Sequence, residues 1–347
     1  MKRAFPFVIF FLIALSWHIV EATDIKYQAL GGVKWGRSID KALALSKESG
    51  KPVFILFQEV PGCSTCVNYG SSVLSQPLVV EAIETLFVPL AVFNNKGGED
   101  AKVLKSFNEQ PWNNPVIRII DSSRTGITRR LAGDYTIAGT TGVMIEALEN
   151  EKIPVPEYLK IVNRENASFI KPETAIFSMY CFWAGEIELG KIKGVVATRS
   201  GYMNRREVVE VRYNPSVISY KSLLREAKSI SCANEAFVLD RKQHEIALSV
   251  LGNDRVEWAS TFHPDREIKY YMSKSPYRLL PVTPLQAILI NRAVYERKNP
   301  DIYLSPHQLS ALDLIELHPE RNWRNRINDS DFTSSWNELL MELDQSK

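Results

Sequence analysis

Charge of one sign is nearly missing from this sequence. Its 42 lysines and arginines stand against 40 aspartates and glutamates, a net charge of +2 over 347 residues. No block of basic residues stands out, so nothing points to a polyanion and no nucleic-acid partner is expected. Histidine is scarce, and His244, His263, His307 and His318 form no pair at metal-ligand spacing. Cysteine is limited to Cys63, Cys66, Cys181 and Cys232, which permit three pairings. There is no internal repeat. Long apolar runs are missing with one exception: Lys2-Arg3 precede a run from Ala4 to about Val20, followed by Glu21-Ala22-Thr23-Asp24. That pattern predicts a secretory signal peptide over residues 1–22, cleaved near Ala22. The competing reading, a retained anchor, is disfavoured by the shortness of the run and by His18 within it. No stable membrane span is expected after cleavage, and the mature chain is expected to be secreted or periplasmic, where disulfides persist. With 45% hydrophobic and 24% charged residues, the rest is an ordinary globular chain long enough for two domains.

In the first half, Ser38 is a candidate N-cap for apolar residues at helical spacing from Ile39 to Leu45, and Gly50 is a stop. Pro52–Phe57 reads as a buried strand. Pro61-Gly62-Cys63-Ser64-Thr65-Cys66 follows, with helix continuing through Val67–Leu74. A second helical piece runs from Pro77 to Leu86, and Phe87–Phe93 is another strand. Asn113-Asn114-Pro115 opens a strand over Val116–Ile120, with a returning strand over Ile127–Leu131. Strand, Cys-x-x-Cys, helix resembles the thioredoxin fold, over residues 24–150. The resemblance implies an attacking Cys63 at a helix start, a deeper Cys66, and a cis-proline at Pro115 facing the pair. The residues around and between the cysteines differ from the Trp-Cys-Gly-Pro-Cys of ordinary thioredoxins, which leaves the potential open. Zinc and a static disulfide remain as competing uses of the pair; zinc lacks two further ligands in histidine, and no metal is expected.

Residues 151–172 are polar, carry Pro154 and Pro156, and read as a linker. Beyond it the order strand–helix–strand–strand–helix (Thr174–Tyr180, Glu186–Lys193, Val195–Tyr202, Glu207–Tyr213, Ser219–Lys228) is that of a ferredoxin-like plait, assigned to residues 173–276. The fold class expected for the whole is therefore α/β and α+β, a thioredoxin-like fold followed by a plait. Residues 277–347 read as a helical extension, with Thr283-Pro284 and Ser305-Pro306 as helix starts, covering an exposed side of the plait.

The stretch Met179–Gly185 organises the second half. An apolar run delivers Cys181 to a turn of two aromatics, Phe182 and Trp183, ahead of a helix. A cysteine where a strand hands over to a helix faces the positive end of the helix dipole, which favours thiolate. The same pattern also suits a small buried cysteine between core aromatics. Cys181-Phe182-Trp183, then Lys193–Val196, Thr198–Tyr202, Glu207–Pro215 and Phe262-His263-Pro264 with Tyr270-Tyr271, resemble the A-type peptide methionine sulfoxide reductases in order and spacing. The resemblance implies Cys181 as nucleophile, Phe182 and Trp183 as a methyl pocket, Glu207 as proton donor, and Tyr202 at the substrate. It also implies Cys232 as a second thiol and the Cys63/Cys66 dithiol as recycling reductant. No cofactor is expected beyond a thiol reductant, and the partners expected are oxidised proteins containing methionine sulfoxide and an upstream thiol donor. Tyr180 and Ala184 replace the family's flanking glycines, and two substrate-contacting segments have no counterpart, which predicts a site that is wider, slower or dedicated to a different thiol substrate. The alternative is a thiol–disulfide oxidoreductase carrying a degenerate, substrate-binding plait.

Overall fold

A computed structural model describes residues 28–167, 171–327, 329 and 331–344; the expected signal segment, 1–22, lies outside the described residues. After a 3-10 turn at Gln28–Leu30, the first half comprises α1 (Ile39–Ser49), β1 (Val53–Gln58), α2 (Ser64–Ser72), α3 (Pro77–Leu86) and β2 (Val88–Phe93). It continues through α4 (Glu99–Ser106), β3 (Val116–Ile120), β4 (Leu131–Ala132) and α5 (Ile137–Asn150). Ser38 caps α1 by accepting from the Lys41 amide, and Gly50 closes it in the left-handed region at φ 72°. The four strands order as β2-β1-β3-β4, with β1 parallel to β2 and antiparallel to β3. Every residue of β1 is buried, because helices cover both faces of the sheet. Its alternation sends Phe54 and Leu56 into one core with Tyr69, Leu78 and Val143. Ile55 and Phe57 enter the other with Ile39, Ala42 and Val103.

The returning strand expected over Ile127–Leu131 shrinks to Leu131–Ala132, paired with Ile117 and Val116. Arg130 and Arg118 instead grip the buried Glu109 carboxylate, at 2.8 and 2.6 Å. Burial pushes that carboxyl up, but hydrogen bonds and charge from the two guanidiniums outweigh it and hold the group below its ordinary range.

The expected linker is no linker along its middle. Helix α6 (Glu157–Asn166) occupies it, starting directly after Pro156. Tyr158, Leu159 and Val162 enter the first-half core, while Ile161 belongs to the core of the second half. The polar look of the stretch comes from the other face, Lys160, Asn163 and Arg164; four apolar residues at helical spacing were enough to bury a side.

The second half comprises β5 (Glu173–Ser178), α7 (Phe182–Leu189), β6 (Val195–Met203), β7 (Arg206–Tyr213), α8 (Tyr220–Ser229) and β8 (Glu235–Val238). Then follow α9 (Arg241–Leu251), β9 (Val256–Trp258), β10 (His263–Pro264) and α10 (Tyr270–Ser273). The sheet orders as β10-β6-β7-β5-β8-β9. Its middle four strands pair antiparallel throughout, in the order of a ferredoxin-like plait. Phe177, Val209 and Val211 of the sheet meet Phe182, Leu189, Leu223 and Leu224 of α7 and α8. Thus the molecule is of the mixed α/β and α+β class, with a thioredoxin-like first domain.

The extension forms α11 (Pro284–Tyr295), α12 (Pro306–Leu317) and α13 (Phe332–Asp344). Thr283 and Ser305 open α11 and α12 as full capping boxes with Gln286 and Gln308, whose amides also bond to each other at 2.9 Å. These helices cover more than the plait. Two carboxylates from elsewhere seat on their N-termini: Glu81 of α3 accepts from the His307 amide at 2.7 Å, and Glu165 of α6 from the Leu285 amide at 2.6 Å. No helix among the described residues is long and apolar enough to cross a membrane.

Candidate active site

Two sulfur centres result, one in each domain. In the first, Cys63 is the N-cap of α2 and Cys66 lies one turn in. Gly62 precedes them at φ 109°, and a Cβ there would stand 2.7 Å from the Ala29 side chain, so the turn into the pair requires glycine. Both thiols are free, Cys63 half-buried and Cys66 buried, with sulfurs 2.9 Å apart. The Asn114–Pro115 bond is cis, as the resemblance implied, and Asn114 Oδ1 accepts from Cys66 Sγ at 2.7 Å. Burial, reinforced by the hydrogen bond with Cys63, pushes the Cys66 thiol up to about 12. The outer sulfur is therefore the one placed to attack, and the inner one keeps its proton near neutral pH. Glu59 completes the cluster: its carboxylate and the two sulfurs lie within 4.8 Å of one another.

In the second domain Cys181 is the N-cap of α7, at the end of β5. The helix begins at Phe182, four residues earlier than its sequence pattern suggested, so the aromatic pair forms its first turn rather than a preceding loop. Gly185 allows this: a Cβ there would meet Met179 Sδ at 1.9 Å. Glu207 Oε2 accepts from the Phe182 amide at 2.9 Å, which places a carboxyl beside the cysteine. Tyr202 lies opposite Glu207 across β6 and β7 and meets Phe182 edge-on at 5.2 Å. Its hydroxyl is pushed up by burial, with the charges of Asp265 and Glu207 adding to the effect. Trp183 stacks on Tyr270 at 4.1 Å and donates through Nε1 to Asp265 at 3.0 Å.

The structure thus brings Cys181, Phe182, Trp183, Tyr202 and Glu207 together. Cys232 reaches the same end of the central strands, since Ser178 pairs with Glu235 and the Asn234 amide donates to the Ser178 carbonyl. Its sulfur is buried and contacts the Ile230 carbonyl at 3.5 Å, with no sulfur contact to Cys181 among the described residues. Burial pushes the Cys232 thiol up to about 11. Cys63, Cys66 and Pro115 form their own site in the other domain.

Sequence reasoning missed several neighbours. Asn114 and Glu59 at the dithiol carry no motif. Tyr271 packs on Tyr295 of α11 at 4.7 Å, and its hydroxyl is pushed up by burial and then by Tyr295 and Cys181. The extension thereby braces, through Tyr295, the tyrosine that neighbours Cys181. Behind the site, Lys269 Nζ bonds Glu186 at 2.6 Å in a buried pair and also donates to the Thr198 carbonyl, tying α7 to β6. The arrangement offers a nucleophilic sulfur, an adjacent carboxyl, an aromatic wall and nearby hydroxyls, a set suited to thiol chemistry on a small polar sulfur group.

Among known proteins, a family model described as thioredoxin-like matches residues 34–122. The chain is similar to the peptide methionine sulfoxide reductase MsrA of Methanococcus maripaludis, 38% identical over 69 residues, 15% of this chain and 44% of that protein. It is also similar to the MsrA of Pelagibacter ubique, 30% identical over 111 residues, 23% of this chain and 76% of that protein. A solved DsbH oxidoreductase is 15% identical with a TM-score of 0.30, over 36% of this chain and 89% of its own, a likeness on which nothing further rests. The chain spans less than half the length of the Methanococcus protein.

Proposed function

This chain belongs to the peptide methionine sulfoxide reductase MsrA family, and from that membership we propose that it reduces the S-epimer of methionine sulfoxide in exported proteins, with its own thioredoxin-like dithiol as reductant. A single observation carries the reading: the Glu207 carboxyl sits on the amide of the residue after Cys181, at 2.9 Å. In the proposed reaction the Cys181 sulfur attacks the sulfoxide sulfur, and the Glu207 carboxyl gives a proton to the departing oxygen. The hydroxyl so formed passes to the Cys181 sulfur as the bond between the two sulfurs breaks, so methionine leaves as the thioether and Cys181 becomes a sulfenic acid. A second thiol condenses with it, releasing water and forming a disulfide. Cys232, at the same end of the central strands, is our candidate for that thiol, and exchange with Cys63 and Cys66 then restores Cys181. Phe182 and Trp183 offer the apolar wall for the methyl group. The apolar leader at residues 1–22 supports our placing the protein outside the cytoplasm, secreted or periplasmic.

The test is reduction of a methionine S-sulfoxide peptide with dithiothreitol. Cys181→Ser is expected to abolish turnover. Glu207→Gln keeps the hydrogen bond to the Phe182 amide but loses the proton, and kcat is expected to fall roughly 100-fold or more. A second reading is favoured by the completeness of the Cys63, Cys66 and Asn114–Pro115 site: thiol–disulfide exchange alone, with the plait as a binding domain. Turnover that survives Cys181→Ser, or a protein that reduces disulfides and never sulfoxides, selects it.

A further inference from the structure

The dithiol has a third acidic neighbour that neither thiol exchange nor sulfoxide reduction uses. Glu59 is half-buried, four residues ahead of Cys63 in the spacing Glu-x3-Cys-x2-Cys, and its carboxylate has no hydrogen bond or ion pair among the described residues. The turn through Gly62 folds it back so that its oxygen and both sulfurs lie within 4.8 Å of one another. Asn114 Oδ1 closes another side of the cluster, 2.7 Å from Cys66 Sγ and 3.9 Å from Cys63 Sγ. Two soft donors and two hard ones therefore gather at one point of the fold, and a single cation needs the 2.9 Å sulfur pair to open only to the edge of roughly 3.8 Å that a zinc tetrahedron sets.

We propose that the reduced pair, with Glu59 and Asn114, is a site for a borderline-soft divalent cation of the zinc class. Zinc takes cysteine sulfur at about 2.3 Å and carboxylate oxygen at about 2.0–2.2 Å, so three such ligands stand well within reach of one ion. Binding exchanges protons for metal: both thiols give up their protons to solvent, the cation takes two sulfurs and the Glu59 oxygen, and nothing is oxidised. The Cys66 hydrogen bond to Asn114 is lost in the exchange, and the amide oxygen so released turns its lone pair on the ion. Histidine is not needed, which is why counting histidines gave no sign of the site. The two uses of the pair compete, since coordination draws charge from the Cys63 sulfur and weakens it as a nucleophile, and a disulfide offers no thiolate to a metal.

Cobalt(II) and zinc(II) chloride are the probes, added to the reduced full-length protein. One equivalent of cobalt is expected to bind with sulfur-to-cobalt charge-transfer bands and the intense visible absorption of four-coordinate cobalt, and zinc is expected to displace it. Protein oxidised beforehand with glutathione disulfide is expected to take up none, whereas Cys232→Ser titrates like the unaltered chain. Glu59→Gln is expected to weaken zinc at least about tenfold, the scale on which even outer-shell partners of a metal act. The proposal is overturned if the bands are missing, if they survive in Cys63→Ser/Cys66→Ser, or if a folded Glu59→Gln binds zinc as tightly as the unaltered chain. Should Glu59→Gln not fold, the cobalt spectrum of the unaltered protein decides: four-coordinate bands support the site, and six-coordinate ones overturn it.

Discussion

At the scale of single residues, the two sulfurs of the dithiol are chemically unequal because one faces solvent and the other faces an amide oxygen. Burial and the bond to Cys63 push Cys66 up to about 12. A stoichiometric iodoacetamide pulse on the reduced protein near pH 7 is therefore expected to label Cys63 well ahead of Cys66, read by peptide mass. Equal labelling would leave the pair as a structural staple. The residues that carry chemical motifs were legible in the sequence: Cys181, Phe182, Trp183 and Glu207 come together as the family resemblance implied. Their helpers were not, since each is brought in from far along the chain. Asn114 meets Cys66 across 48 residues, and Asp265 meets Trp183 across 82. Short polar side chains of this kind carry no periodicity, and only the fold shows what they face.

At the scale of elements, caps and prolines were read well and one helix was not. Ser38, Gly50, Thr283 and Ser305 do at the helix ends what their types dictate. Helix α6 went unread because Pro154 and Pro156 look like breakers, while Pro156 in fact ends the loop and lets the helix begin. The cost of a strand with little apolar character shows at β4, where Thr128, Arg129 and Arg130 leave only two residues to pair. The junction of α6 with α11 also has a pH signature. Burial raises the Glu165 carboxyl from an ordinary 4.5 to about 7. A carboxyl raised in the folded state adds stability that is fully present below its unfolded value and lost as pH climbs through the folded one. The protein is thus expected to lose roughly 3 kcal/mol from this group between about pH 4.5 and 7. Thermal melts across that range should show a shallower decline for Glu165→Gln, and an unchanged decline would place the titration elsewhere.

At the scale of the whole molecule, two domains of familiar architecture are held by shared parts rather than strung on a tether. Tyr158, Leu159 and Val162 of α6 serve the first core and Ile161 the second. Leu285 and Ile288 of α11 belong to the plait, while Ala287 and Ile290 belong to the core of the extension. A boundary drawn from composition falls at Asn150, between α5 and the prolines. A fragment stopping there would bare the groove that α6 fills and is expected to aggregate, whereas one carried through Asn166 stays soluble; light scattering of the two separates these outcomes. The sharing of one helix between two cores has a consequence for inheritance as well as for folding. A domain on a tether can be lifted out and traded between lineages as a cassette. Here the two domains hold the same ten-residue helix in common, so neither can be exchanged unless the replacement brings a matching face for that helix.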